Sequence, residues 1–372
     1  MGSPLISVLV DTYNHERFIE DAVTSVLAQD FPANEMEILA IDDGSTDRTP
    51  EILRRFFPRV RLIRKTNGGQ ASAFNTGIAE ARGQIIAFLD GDDWWARGKL
   101  RQVADTFVRR PQAGIMGHGI IEVLRDGRRR LETLREECHF QACLPGGADI
   151  LRNRKHLLGT SRLAIRTAIA RQITPLPENL IFEADEFLFT IAAVLSETVI
   201  ITAALAYYRH HDSNLYQTAS ANHESGLRKL RVLQSLYLAL ELRLNSEHVS
   251  REARNLILDA IHAEESQLRL SLLGGPRWEA VLTELRLLRI HHSEAGLMQR
   301  LFSITRILPA VVIPARRYYR WKGNVAQSSL YLRLRRRFLP IPLASHLRRE
   351  EREVAIVNAR NRAYTGQQSK HQ

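Results

Sequence analysis

The first 125 residues alternate between short apolar runs and longer segments whose apolar positions recur three and four apart. Residues 5–10 form one continuous apolar run closed by Asp11, the pattern of a buried strand. Phe18, Ile19, Ala22, Val23, Val26 and Leu27 then follow at helical spacing. Further strands are predicted over 37–41, 60–63, 84–89 and 114–123. Between them fall helices: one capped by Ser45 or Thr46 with Pro50 in its first turn, one over 70–81 and one over 99–108. Strand–helix alternation with short turns predicts an α/β fold, a mostly parallel sheet flanked by helices.

Beyond about residue 216 the pattern changes. Leu227, Leu230, Leu233, Leu236, Tyr237 and Leu240 mark long amphipathic helices, broken near Gly274-Gly275-Pro276. The chain is therefore divided into 1–215, a helical region 216–300 and a basic tail 301–372, polar past Arg360. The net charge of +11 is concentrated at the end: residues 300–372 hold 16 Lys/Arg against 3 Asp/Glu. In 301–315 (LFSITRILPAVVIPA) Arg306 is the one charge, and Arg316, Arg317, Arg320 and Lys322 then alternate with Tyr318, Tyr319 and Trp321. Pro309 and Pro314 break this stretch, and it is too short to span a bilayer. It reads either as an interfacial segment on an anionic leaflet, each cation contributing about 1 kcal/mol, or as a helix packed on the body. No usual nucleic-acid module is present. Two cysteines, Cys138 and Cys143, supply neither a structural zinc site nor a disulfide framework, which predicts a reducing cytoplasm. The N-terminus lacks a charged region before its apolar run, so no signal peptide is expected.

The polar residues that carry chemistry cluster just after the predicted strands. They are Asp11 to Asn14, Asp42-Asp43, Lys65 to Gln70 and Asp90 to Asp93. In open α/β sheets ligands bind outside the carboxyl ends of the strands, so four segments converge on one place. Asp90, Asp92 and Asp93 (LDGDDWW) crowd three carboxylates into four positions. They either hold a divalent cation together with phosphate oxygens or cap the N–H groups of a turn. Asp42-Asp43-Gly44-Ser45 admits the same two readings, and Asn67-Gly68-Gly69-Gln70 is a loop whose glycines let backbone approach a ligand. There is no GxGxxG and no Walker A sequence.

Together VDTYN (10–14), IDDGSTD (41–47), NGGQASAFNTG (67–77) and LDGDDWW (89–95) closely resemble the inverting family 2 glycosyltransferases of GT-A fold. Thr160-Ser161, PLPE (175–178), EADE (183–186) and YRHH (208–211) continue the resemblance to about residue 215. It implies transfer of a sugar from a nucleotide-diphosphate donor, a UDP-sugar by preference, to an acceptor hydroxyl. By the family pattern Asp43 contacts the uracil or ribose side, with Tyr13, Asn14, Lys65 and Asn67 nearby. Asp90 faces ribose or diphosphate, and Asp92 coordinates Mg²⁺ or Mn²⁺. Arg209 and His211 assist at the diphosphate or its closing loop. The family's base motif falls on Asp185, with Glu186 and Glu183 as competitors; the same segment also reads as the acidic first turn of a helix.

Relatives often have Pro before Tyr-Asn, whereas Asp11-Thr12 stand here and add a carboxylate. The Q-x-x-R-W motif of processive synthases is missing, which favours single-sugar addition. Trp94-Trp95 offer one ring to stack on an acceptor sugar and one to the core. The resemblance implies a lipid-linked or cell-envelope glycan acceptor. It sets this reading above a nucleotidyltransferase, which wants a Gly-rich basic loop after strand one, and above a non-catalytic nucleotide- or glycan-binding module. A cytoplasmic protein results, peripheral on the inner face of the plasma membrane if the tail docks there.

Overall fold

The computed structural model describes residues 5–212, 214, 222–291 and 307–327. Among the described residues ten strands, β1–β10 in chain order, form one sheet in the order β3-β2-β1-β4-β9-β6-β10-β5, with β7 on β6 and β8 on β10. The parallel half is β1 (Ile6–Thr12), β2 (Met36–Asp42), β3 (Arg61–Arg64) and β4 (Ile85–Asp90). Helices α1 (Ile19–Leu27), α2 (Thr49–Arg54) and α3 (Gln70–Glu80) make its crossovers. The two-residue β5 (Trp94–Trp95) and α4 (Lys99–Arg109) lead to β6 (Ala113–Val123), β7 (Arg129–Glu132) and β8 (Cys138–Phe140). Then come α5 (Gly147–Arg154), β9 (Ala164–Arg166), α6 (Thr167–Ile173), α7 (Ala184–Leu195) and β10 (Glu197–Arg209). β9 lies antiparallel between β4 and β6, whereas β6 and β10 are parallel. The chain thus leaves the expected parallel sheet after β4 and re-enters it from the other direction.

The expected helix cap is corrected. α2 starts at Thr49 with Arg48 before it, and neither Ser45 nor Thr46 caps it. Ser45 Oγ instead accepts from Asn14 N–H at 2.9 Å, tying the loop after β2 to the loop after β1.

Alternating side chains divide the interior into two layers. Val8, Val10, Ala40, Ala87 and Leu89 pack with α1 and α4 on one face. Leu9, Ile41, Phe74 and Phe88 pack with α7 on the other. That second layer does not stop at residue 215. Helices α8 (His223–Ser246) and α9 (Arg251–Leu272) bury Val232, Leu236, Leu240, Ile257 and Ile261 in it. Their ends are set by Asn222 and Ser250, whose side chains accept from Ser225 N–H and Ala253 N–H. A break at Gly274-Gly275-Pro276 leads to α10 (Arg277–His291).

The first part of the basic tail includes α11 (Leu308–Val312) and α12 (Ala315–Gln327), which pack against α9 and α10 through Ala310, Ala315, Tyr318 and Tyr319. Pro309 opens α11, and Pro314 separates it from α12. The remainder of the expected tail, 328–372 with its cluster at 333–337, lies outside the described residues, as do 215–221 and 292–306. No helix among the described residues is long and apolar enough to cross a membrane.

Candidate active site

Register places the acidic residues on one face. Asp11 pairs with Ile41 on one side and Asp90 on the other. Asp11 shares the parity of Leu9, Asp90 that of Phe88 and Asp43 that of Ile41, and those three apolar residues all lie in the α7 layer. The carboxylates of Asp11, Asp43 and Asp90 therefore leave the sheet towards α7, at whose start Asp185 stands. Asp42 has the opposite parity; it is fully buried and accepts from Ser45 N–H at 3.0 Å with Arg64 3.2 Å away. Of the Asp42-Asp43 pair, the second alone turns to the common face.

Asp43 organises the loop at the start of α3. Its carboxylate takes Lys65 Nζ at 2.6 Å, Gly68 N–H at 3.0 Å and Gly69 N–H at 2.7 Å, while Asn67 Nδ2 donates to its carbonyl at 3.0 Å. Gly69 has φ +83°, and a Cβ there would meet Ile181 Cα at 2.5 Å, so the tight approach requires glycine. Asn14, at φ 57°, accepts Thr46 N–H on Oδ1 at 2.8 Å. Tyr13 is exposed at the rim. Asn14, Asp43, Lys65 and Asn67, expected on the nucleoside side, are brought together by direct bonds among the loops after β1, β2 and β3, with Tyr13, the fifth expected there, beside them.

The β4–β5 turn is held from below and from the side. Asp90 N–H donates to Ser161 Oγ at 3.1 Å, and Arg209 N–H donates to Asp93 Oδ1 at 3.0 Å. Asp92 Oδ2 lies 2.9 Å from His211 Nε2, 3.4 Å from Asn214 Nδ2 and 3.9 Å from His15 Nε2. Burial raises the Asp92 pKa, but the His211 hydrogen bond and the charges of His15 and His211 outweigh it and leave the group below its ordinary value. Its neighbours go the other way. Asp90 is pushed well up by burial and by Asp11, Asp92 and Asp93; burial and Asp92 push Asp93 up to about 8.

The sequence marks Asp11 among the strand-end polar residues and as a departure from pattern, without a role of its own, and does not single out Lys99. Asp11 stands at the centre of the face. Burial, Asp92, Asp185 and Asp43 push it well above a normal carboxylate, and its Oδ1 has no hydrogen-bond partner among the described residues. Lys99, fully buried, donates to the Ser161 carbonyl at 2.7 Å and lies 3.9 Å from the Trp95 ring centroid. Burial depresses it well below the usual lysine range, with the nearby Asp93 and Asp90 opposing that only in part. The available signal was its place on the apolar stripe of α4 with Val103 and Phe107, where a lysine requires a buried anion.

Arg209 is engaged rather than free. Its Nε donates to the Asp92 carbonyl at 3.1 Å, its Nη2 meets Asp21 at 2.7 Å, and it lies 4.5 Å from the Trp94 ring centroid. Trp94 also stacks on Tyr207 at 5.0 Å, and Trp95 is buried. Trp95 is thus the ring given to the core, and Trp94 is engaged by Tyr207 and Arg209 of β10.

Asp185 sits in the first turn of α7, behind Glu183 at φ 62°. Its Oδ2 accepts from Thr160 N–H and Thr160 Oγ1, both at 3.0 Å, and Gln70 Oε1 accepts Ala184 N–H at 3.0 Å. Glu186 is bound to Lys155 in a short ion pair. Glu183 is pushed well up by burial, Glu186 and Asp185. Of the three acids, Asp185 is the one that raises both Asp11 and Asp90 from across the site.

A divalent cation fits this arrangement: an unpartnered buried carboxylate oxygen and two carboxyls driven towards protonation mark a pocket short of positive charge. Among the described residues no group of three or more His, Cys, Asp or Glu side chains is arranged to hold a metal ion. An ion beside Asp92 would thus take further oxygens from its ligand.

The model of "Glycosyl transferase family 2" matches residues 7–160. An uncharacterized glycosyltransferase of Nostoc sp., alr2836, is 30% identical over 226 residues, 58% of this chain and 68% of the relative. This chain belongs to glycosyl transferase family 2. TarS of Staphylococcus aureus, a poly(ribitol-phosphate) β-N-acetylglucosaminyltransferase, is 24% identical over 73% of this chain, which spans about half of it (47%). The crystal structure of TarS 1–349 matches 85% of this chain and 91% of its own at TM-score 0.56 and 19% identity. Its complex with UDP-GlcNAc matches at 0.51 over 85% of this chain and 92% of its own, again at 19% identity. The mannosyltransferase PcManGT from Pyrobaculum calidifontis, in complex with GDP-Man and Mn²⁺, also matches at 0.51, with 18% identity over 87% and 84% of the two chains. These likenesses show the fold: a GT-A-type sheet with a C-terminal helical region.

Proposed function

We propose that this family 2 glycosyltransferase moves one sugar from a UDP-sugar to a hydroxyl of a cell-envelope or lipid-linked glycan, with inversion at the anomeric carbon. The observation that carries the reading is the placement of Asp185 at a helix start, facing the sheet-end carboxylates Asp11 and Asp90. Donor and base can thus occupy opposite sides of one pocket. Tyr13, Asn14, Asp43, Lys65 and Asn67 would receive the nucleoside, with Asp90, Arg209 and His211 towards the ribose and diphosphate. Residues 1–215 would carry the transfer machinery, with 216–300 as support and 301–372 as an accessory tail. TarS, with its UDP-GlcNAc complex and polymer acceptor, supports the donor and acceptor classes.

Asp185 would accept the proton of the acceptor hydroxyl as its oxygen forms the new bond to the anomeric carbon. The bond to the diphosphate breaks in the same displacement. The two Thr160 bonds to its Oδ2 orient it for that role. Asp92 would hold Mg²⁺ or Mn²⁺, which when bound supplies positive charge to the departing nucleoside diphosphate. The PcManGT complex with Mn²⁺ supports that choice.

Asp43→Ala tests the nucleoside side. It removes the acceptor for Gly68 and Gly69 N–H and frees Lys65, so uridine and UDP should bind roughly ten- to a hundredfold more weakly by titration calorimetry, whether or not metal is present. Unchanged uridine affinity would remove this loop from the donor site.

A further inference from the structure

α10 carries an exposed apolar stripe. Trp278, Leu282 and Leu285 stand four and three residues apart on one helix face and are 62%, 54% and 45% exposed. Its other face, with Ala280, Thr283 and Glu284, is buried. α11 lies against α10 and exposes Leu308, Val311 and Val312 at 61%, 55% and 71%. Trp321, on the following helix, is 39% exposed. Apolar side chains gathered on helices in contact mark an interaction surface.

The charges around them select the partner. Within the described residues of 273–322 the carboxylates are Glu279 and Glu284, and each is held by a cation: Arg269 at 2.9 Å and Lys322 at 2.7 Å. Arg277, Arg289, Arg316, Arg317 and Arg320 are exposed and have no ionic partner among the described residues. A second copy in a two-fold contact would set this carboxylate-poor patch against itself, arginines among arginines, and repel. A lipid leaflet with anionic headgroups satisfies both halves of the surface. Tryptophan and aliphatic groups enter the headgroup–acyl boundary while guanidiniums stay at the phosphates.

We propose that the face made by α10, α11 and the start of α12 docks this protein on an anionic lipid surface. This is a folded face rather than an extended tail, and it stands independently of the transfer reading. The full-length protein should sediment with vesicles of phosphatidylcholine and phosphatidylglycerol, remain free of pure phosphatidylcholine vesicles, and release at high salt. Arg316→Gln/Arg317→Gln/Arg320→Gln should weaken partitioning roughly a hundredfold, at about fivefold per arginine. Trp278→Ser/Leu282→Ser should weaken it roughly tenfold or more and reduce the blue shift of tryptophan emission on vesicles. Both variants should keep wild-type melting temperature and donor hydrolysis. The proposal is overturned if wild type ignores anionic vesicles, or if both variants bind like wild type. It is equally overturned if binding disappears only when the arginines of 333–337 are replaced by glutamine in the full chain. Concentration-dependent dimers in sedimentation velocity, broken by Trp278→Ser/Leu282→Ser without any vesicle binding, would assign the face to a second copy instead.

Discussion

Asp185→Asn is expected to leave UDP affinity nearly unchanged while transfer falls roughly 10²–10⁴-fold, the range a positioned general base contributes. The amide keeps the shape and an acceptor oxygen for Thr160, so the fold should survive and the loss should lie in turnover. Glu186→Gln should be much milder for the chemistry, because that carboxylate is already tied to Lys155. Glu183→Gln should also be mild, since burial and two neighbouring acids push that group well up, towards its neutral form. Rates of product formation under single-turnover conditions check this. A large loss in Glu186→Gln with normal transfer in Asp185→Asn would move the base by one residue. Normal transfer in all three would reduce the segment to a helix start.

Asp92→Asn should be almost as damaging, with turnover down roughly 10²–10³-fold, the scale seen when one electrostatic stabiliser of a developing charge is removed. Its signature differs from that of Asp185. The variant should lose the metal-dependent share of UDP affinity and keep the metal-independent share, because the Asp43 loop is untouched. UDP titrations with Mn²⁺ and with chelator separate the two. Equal metal enhancement in wild type and Asp92→Asn would place the ion elsewhere.

Much of this site was legible before any coordinates, because a parallel sheet exposes its carboxyl ends at one edge and the apolar runs mark where each strand stops. Asp43, Asp90 and Asp92 follow directly from that. Asp11 was legible as a residue but not as a participant: its weight comes from register with Asp90 and proximity to Asp185, which are contacts across 79 and 174 positions. Lys99 carried a readable signal, a lysine on an apolar stripe, but not the identity of its partners, the Ser161 carbonyl and the Trp95 ring. The interleaving of β9 between β4 and β6 was not legible, since a three-residue strand has almost no periodicity of its own. Nor did the amphipathic pattern of α8 and α9 say which surface they cover; their apolar faces complete the core that holds α7. The neighbours of Trp94 were not legible for the same reason, as Tyr207 and Arg209 come from the far end of β10.

The central claim is that these sheet-end carboxylates form a nucleoside-diphosphate site completed by a divalent cation. The most direct measurement is the melting temperature of the wild-type protein with UDP, GDP and their sugars, each with Mn²⁺, with Mg²⁺ and with chelator. The account predicts that UDP and a UDP-sugar stabilise the fold in the presence of metal, by about 2.7 kcal/mol at a hundred times the dissociation constant, and far less in chelator. Equal stabilisation in chelator, or none by any nucleotide in the presence of metal, would contradict it.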